Sequence, residues 1–188
     1  MQGDFRIEII VIGGVDHAWY SDFGVIHILF DEAVRKGWIT RKKNLISMAA
    51  KYENIVYLHD YIYLMPSWAE GMASFGNDWD LAMTRVSDIK GRRFYDWINW
   101  DHPSKTRYAP VDYDNSGDAQ YNFVPGAYWI AKKTLMLNQP LNEELTWGES
   151  EDIEWSLRVR NFKYVMIKDA EVRHLKKHRG YKFWKPIY

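Results

Sequence analysis

The sequence predicts an α/β domain with a mostly parallel central sheet flanked by helices. Short β-branched apolar runs alternate with a helical pattern, and turn residues follow the runs. Ile7 to Ile12 is the first such run and ends at Gly13-Gly14, and Val25 to Phe30 is a second. Strands that alternate with helices are typical of crossover connections and therefore of parallel pairing.

A helix is predicted to begin near Thr40, which is a good N-cap residue. Four residues lie on one helical face that we expect to pack inward: Leu45, Met48, Ala49 and Tyr52. The next buried strand, Asn54 to Leu58, runs straight into His59-Asp60.

The second half of the chain mixes strands, a loop and a helix. Asp101 to Asn122 is rich in Asp, Asn, Pro, Gly and Ser, which predicts a long irregular segment of the kind that often carries function. Ser150 can cap a helix from Glu151 to about Asn161. The predicted strands are Leu81 to Val86, one near Phe94 to Trp97, Gly126 to Lys133, Tyr164 to Ile167 and Glu171 to Leu175.

Composition fits one soluble domain over residues 1–188, with 47% hydrophobic and 27% charged residues. The 25 basic and 25 acidic side chains cancel, so there is no electrostatic case for binding nucleic acid or an anionic membrane surface. The chain has no cysteine, no apolar run long enough to span a bilayer, and no secretory signal pattern at its start. We therefore expect a cytoplasmic protein. Aromatic residues make up 16%, and such rings stack well on sugars and nucleobases.

Asp60 is a candidate ligand-binding residue because it follows a buried strand. Ligands of open α/β sheets bind at the carboxyl ends of strands. A carboxylate there can hold a hard divalent cation whose other ligands are phosphate oxygens and water. The alternative is a solvated turn residue or a helix cap.

An acidic cluster, GESEDIEW, spans Gly148 to Trp155. Acids at a helix start complement the helix dipole, which is the simpler explanation. That explanation accounts less well for the rigid Thr146-Trp147-Gly148 segment before the acids. The dipole would also keep a carboxylate ionised, as a general base requires.

Two further candidates are weaker alone. His174 lies in the apolar-flanked stretch AEVRHL, where a histidine is more often a structural residue than a ligand. The basic helix start from Arg41 to Asn44 is either a solvated face or a binding site for a diphosphate. No P-loop or dinucleotide-binding fingerprint is present.

Taken in order, these segments resemble the family-2 glycosyltransferases of the GT-A fold, the nucleotide-diphospho-sugar transferases. RIEIIVIGGVD resembles the family's second strand and turn, and KNLISMAAKYENIVYLHDY its RN helix, strand and DxD motif. GAYWIAKKTLM and PLNEELTWGESEDIEWSLRVR resemble its acceptor-side strand and ED helix. The resemblance spans about Glu8 to His174.

The resemblance implies an inverting transfer of a sugar from a nucleotide-sugar to an acceptor hydroxyl. By it, Asp152 is the general base, Glu151 positions the acceptor or the base, and Asp60 with His174 holds Mn²⁺ or Mg²⁺ against the donor diphosphate, such as that of a UDP-sugar. The residues implied near the nucleotide are Gly13, Asp16, Arg41, Lys43 and His59.

Two departures from the family bear on activity. His59-Asp60-Tyr61 falls on the DxD triplet, so both outer acids are replaced. The chain also begins where the family's second strand begins, which predicts that the first βα unit is lacking and that an open sheet edge invites a homodimer. Two alternatives remain: a catalytically inactive nucleotide- or carbohydrate-binding module, and a nucleotidyltransferase, although the glycine-rich loop of the latter is absent.

Overall fold

The structure, a computed structural model, describes residues 6–176. Its strands are β1 (Ile10–Ile12), β2 (Ile26–Ile28), β3 (Asn54–Leu58), β4 (Ile62–Leu64), β5 (Leu81–Ser87), β6 (Ile98–Asn99), β7 (Asn122–Phe123), β8 (Tyr128–Lys132) and β9 (Tyr164–His174). Its α-helices are α1 (Ile39–Ala49), α2 (Ser67–Phe75), α3 (Lys133–Asn138) and α4 (Glu151–Arg158). None of the helices in this range is long and apolar enough to cross a membrane.

The central sheet has the strand order β3-β8-β5-β9-β4 and is mixed. Only β5 and β9 pair in parallel, whereas β8 is antiparallel to both of its neighbours and β4 is antiparallel to β9. The α/β class is confirmed, but the prediction of a mostly parallel sheet is wrong. Apolar runs reveal that a strand is buried, and they contain no information about its direction.

The first two strands form a separate two-stranded parallel sheet, β1-β2. The predicted run from Ile7 shortens to three residues, all of them only partly buried, and Ile7 itself is 76% exposed. The 3-10 helix Ala18–Phe23 contacts β2 and helix α1 contacts β1, but neither covers the two strands fully, so the prediction of a buried strand is wrong here.

Helix α1 turns a polar face inward. Its buried residues are Thr40, Lys43, Asn44 and Ser47, whereas Met48 is 63% exposed. The predicted apolar face is therefore wrong. Each buried polar side chain has a hydrogen-bond partner outside the helix or one turn back, so burial does not leave it unsatisfied.

Helix α4 begins at Glu151, as predicted, and ends at Arg158, three residues short of the predicted end. Ser150 precedes it with φ of +63° and makes no side-chain cap. Two buried tryptophans fix the helix on the sheet. The Trp155 indole donates to the Gln139 carbonyl at 2.6 Å and packs against Trp129, with 4.7 Å between ring centroids.

Two strand predictions need correction. The strands predicted from Tyr164 and from Glu171 are one continuous strand, β9, with a register shift opposite Thr84/Arg85. The strand predicted near Phe94 to Trp97 begins directly after that segment, at β6. It pairs with β7, which lies at the end of the irregular Asp101 to Asn122 segment.

Candidate active site

The acid pair and the end of β3 meet at one short segment, Gly126-Ala127, just before β8. The His59 N–H donates to the Ala127 carbonyl at 3.0 Å, which continues the β3-β8 pairing by one residue. On the other side, the Gly126 N–H donates to Asp152 Oδ2 at 3.2 Å. Two parts of the sequence predicted to carry chemistry therefore flank the same two residues.

The Asp152 carboxylate is held by backbone donors. Oδ1 accepts from the Ile153 N–H at 2.9 Å, and Oδ2 accepts from Gly126. Charge-assisted bonds of this kind fix the direction in which a carboxylate points and leave lone pairs for a ligand. The local sequence achieves this because Asp152 occupies the first turn of α4, where helix N–H groups lack intrahelical partners.

Glu151 lies deeper in the protein and is 6% exposed. Burial raises the pKa of its carboxyl group, and the nearby negative charge of Asp152 raises it further, while Lys43 acts in the opposite direction. The two neighbouring acids are thus in different environments, a common arrangement where one carboxyl group binds protons more readily than the other.

Lys43 reaches this pair from α1. Its ammonium group donates to the Gly126 carbonyl at 2.6 Å and lies 5.5 Å from the centroid of the Trp129 ring. Burial lowers the pKa of Lys43 to about 8, although Glu151 and Asp152 both favour the charged form. The residue predicted to contact the nucleotide is therefore a buried neighbour of the two acids.

His59 is held by its neighbour Tyr61, whose hydroxyl lies 2.5 Å from His59 Nδ1. Burial lowers the pKa of His59 to about 4, and the Lys43 charge adds to this effect. Among the described residues His59 Nε2 has no hydrogen-bond partner. The adjoining Asp60 is exposed in the turn between β3 and β4.

His174 is the last residue of β9 and lies opposite Ile62 in the β4-β9 pairing. Its ring is buried between Tyr61 and Phe94, each with its ring centroid 4.7 Å away. No three His, Asp or Glu side chains within residues 6–176 converge to hold a metal ion. The described donor set does not fit a metal held by the protein alone, and the ligand role of Asp60 and His174 stays a prediction.

The remaining predicted nucleotide contacts lie in local networks. Gly13 has φ of +79° at the end of β1, and its carbonyl lies 3.0 Å from His27 Nε2. Asp16 is an exposed neighbour of His27, and Arg41 forms an ion pair with Glu143 at 3.0 Å. Of the predicted site residues, the structure gathers Lys43, His59, Glu151 and Asp152 around Gly126.

Sequence reasoning missed Gly126 itself. A Cβ at this position would lie 3.4 Å from Asp152 Oδ2 and 3.6 Å from Glu151 Oε1, both ordinary contact distances, so the backbone of Gly126 lies directly beside the two acids. The available signal was Pro125-Gly126 directly before a strand, since an isolated glycine there often marks close backbone approach.

The sequence indicates Trp147 only as part of the rigid Thr146-Trp147-Gly148 segment and does not predict that its side chain is exposed. Its backbone N–H donates to the Gly37 carbonyl at 2.9 Å, while its indole is 72% exposed. An anchored, exposed aromatic ring ahead of the acid helix is a surface on which a sugar can stack.

Among solved structures, the chain is similar to GalNAc-T7, whose structure was determined with UDP, GalNAc and Mn²⁺. The TM-score is 0.62 at 14% identity, and the similarity covers 96% of this chain and 39% of that chain. It is also similar to A197 from STIV, with a TM-score of 0.50, 9% identity, and coverage of 91% and 87%. No family profile and no curated protein sequence matches the chain. At these identities the similarity shows the fold alone, which is GT-A-like.

Proposed function

We propose that this chain is a glycosyltransferase that moves a sugar from a nucleotide-sugar to an acceptor hydroxyl. The observation that carries the proposal is the arrangement at Gly126, where a buried cation and two carboxylates from distant parts of the sequence share one residue. The GT-A-like fold and the similarity to a solved glycosyltransferase support the same reading.

The reaction is a displacement at the anomeric carbon with inversion of configuration. The acceptor oxygen forms the new bond to that carbon while the bond to the diphosphate oxygen breaks, and the nucleoside diphosphate leaves. Asp152 accepts the proton of the acceptor hydroxyl, and Glu151 orients the acceptor or the base. A carboxylate in this role contributes on the order of 10²–10⁴ in rate.

The resemblance implies that the donor nucleotide lies near Gly13, Asp16, Arg41 and His59, and of these four the structure brings His59 to the Gly126-Ala127 segment. The exposed Trp147 ring offers a stacking surface for a sugar. The described residues do not supply a three-ligand metal site. The proposed mechanism therefore assigns no step to a metal, and Asp60 with His174 remains the place to test for one.

A binding module without activity is the second candidate. One observation favours a module that binds a carbohydrate without a nucleotide: two cations of the basic helix start are already neutralised inside the chain, because Arg41 pairs with Glu143 and Lys42 pairs with Glu32. A diphosphate would have to compete with these acids for the cations.

The deciding experiment is a screen of UDP-, GDP- and dTDP-sugars with and without Mn²⁺, in which release of the nucleoside diphosphate is measured. We expect turnover with at least one donor. We expect Asp152→Asn to lower it by roughly 10²–10⁴ while leaving donor binding nearly unchanged. The substitution removes the base and keeps the size of the side chain, although the asparagine NH2 cannot accept one of the two backbone hydrogen bonds.

Glu154→Gln is the matched control. Glu154 lies on the same helical turn, but its carboxylate faces Arg158 at 2.6 Å. Turnover that survives in Asp152→Asn would refute the assignment of the base. No turnover, combined with a thermal shift by a free sugar or by a nucleoside diphosphate, would favour the binding module. Neither turnover nor a thermal shift with any of these compounds would reject both candidates.

A further inference from the structure

Lys43 is an unusual residue to find on the inner face of a helix. It is 5% exposed, and its ammonium group is enclosed by the Gly126 carbonyl, the Trp129 ring and the start of α4. Removing a charge from water is expensive unless partners compensate for the lost solvation. Since a methionine would fill similar space without that cost, the charge itself invites an explanation.

The contacts of Gly126 supply one. Its carbonyl accepts from Lys43 and its N–H donates to Asp152 Oδ2, so one residue joins the cation to the carboxylate. A change in the Lys43 contact would tilt the segment that orients Asp152. The ammonium group also acts electrostatically on Glu151 and Asp152 together.

We infer that Lys43 is a positioning residue of the transfer reaction: through Gly126 it fixes the direction of the Asp152 carboxylate, and its positive charge lies beside the two acids of α4. This inference rests on the proposed function, in which Asp152 accepts the proton of the acceptor. Lys43 touches neither the reacting atoms nor, by this account, the nucleotide.

The electrostatic part has a definite sign. The groups that face Lys43 are Glu151 and Asp152 from α4 and His59 from the end of β3. Lys43 opposes the effects of burial and of Asp152, both of which raise the pKa of Glu151. Removing the cation should therefore raise the pKa of Glu151 and move the acid limb of the pH profile of kcat/KM, which reports the pair as a unit, to higher pH.

The test is a carboxyl NMR titration of the wild type and of Lys43→Met, accompanied by pH profiles of kcat/KM. We expect the Glu151 titration to move upward by about one pH unit, as is typical for loss of a nearby opposite charge. We expect the acid limb of the kcat/KM profile to move in the same direction. Lys43→Arg should return both the Glu151 titration and the acid limb at least part of the way to their wild-type positions. An unchanged Glu151 titration in Lys43→Met would overturn the inference.

Lys133→Met is the control, because Lys133 also donates its ammonium to a backbone carbonyl, that of Ala50 at 2.6 Å, at the other end of α1. If the Glu151 titration moved upward equally in Lys133→Met, that result would also overturn the inference. If Lys43→Met fails to fold, the reciprocal measurement is the pKa of Lys43 in Asp152→Asn, which must fall below its wild-type value because a favourable charge is lost.

The titrations separate this inference from the proposed function. If the wild type turns over no donor at any pH, the proposed function fails, yet the Glu151 titration still decides whether Lys43 controls the pair. If turnover is present and the titration does not move, only the role of Lys43 fails.

Discussion

At the scale of single residues, burying the charge of Lys43 costs free energy that the rest of the fold must offset. Its pKa falls from 10.5 to about 8, a difference worth roughly 3 kcal/mol. Between these values the unfolded chain binds the proton and the folded chain does not. Stability from this residue is therefore present above pH 10.5 and is lost as the pH falls to about 8.

We accordingly predict that Lys43→Met raises the free energy of unfolding at neutral pH by about 2 kcal/mol. This value is the relief of the buried charge less the hydrogen bond lost at Gly126. Chemical denaturation at about pH 7.5 and 9.5 measures it, and the gap between variant and wild type should shrink at the higher pH. Burial raises the pKa of tyrosines such as Tyr57, so these residues lower the stability of the fold above about pH 10. Measurements between about pH 7.5 and 9.5 avoid this contribution.

A destabilised Lys43→Met, or a gap independent of pH, would contradict the prediction. Lys133→Met serves again as control, because it removes a similar hydrogen bond from a less buried lysine and should not stabilise the fold.

The candidate residues were accessible from the sequence, but their grouping was not. Asp152, Glu151 and Lys43 could be named from helix-start chemistry and from the resemblance to glycosyltransferases. The contact between Lys43 and Gly126 joins positions 83 residues apart, and no local pattern encodes such a pairing. Gly126 was missed because a glycine shows no chemistry of its own.

At the scale of elements, α2 and β9 approach each other at Gly71. A Cβ there would lie 2.5 Å from both the Ala170 nitrogen and the Asp169 carbonyl carbon, which are backbone atoms and cannot rotate away. We predict that Gly71→Ala destabilises the protein by about 2–3 kcal/mol through overpacking. In a chain of this size the loss lowers the Tm by roughly 5–10 °C, measurable by calorimetry.

Gly117→Ala is the matched control for this effect. A Cβ at Gly117 meets nothing closer than 3.7 Å, so the same substitution should leave the Tm nearly unchanged. Equal melting temperatures for the two variants would show that helix α2 can move away from β9 without penalty.

Element boundaries followed the sequence more closely than element faces. The strand at Asn54–Leu58 was predicted to the residue, because an apolar run bounded by polar residues is a clear signal. The inward face of α1 was predicted wrongly, because amphipathicity assumes that a buried face is apolar. Here hydrogen bonds to loops far along the chain, such as Asn44 to the Leu141 backbone, replace apolar packing.

At the scale of the whole molecule, an apolar groove of about 370 Å³ lies beside β1-β2. We call it the β1-β2 groove; it is lined by Ile9, Val11, Trp19, Tyr20, Phe23 and Val25. Phe23 is 71% exposed and Trp19 52%. Exposed apolar patches of this kind mark interaction surfaces or sites of aggregation.

We therefore predict that the 188-residue chain self-associates as its concentration rises, and that Trp19→Glu with Phe23→Glu reduces the association. Light scattering after size-exclusion chromatography measures it. A double variant of two other exposed apolar residues, Phe75→Glu with Leu137→Glu, is the control and should associate like the wild type. A monomer at all concentrations would contradict the prediction and the expected homodimer.

The sheet shows where inference from sequence stops at this scale. The predicted runs locate four of the five central strands approximately, with two runs falling on β9, and β4 was not predicted. Strand order and direction depend on contacts between residues far apart in sequence. Strand β5, which pairs in parallel with β9, and strand β8, which is antiparallel, are both almost fully buried, so burial does not distinguish the two directions. The GT-A-like architecture was reachable through the resemblance, whereas the mixed pairing was not.

The polar inner face of α1 means that local opening of this helix would break the hydrogen bonds that Thr40, Lys43 and Asn44 make to distant segments. Amide exchange, which reports local opening, would detect it well below the global melting temperature. In such an open state the central sheet stays folded, but Lys43 leaves the Gly126 carbonyl. Glu151 and Asp152 then lose the cation beside them, and the proposed activity is lost.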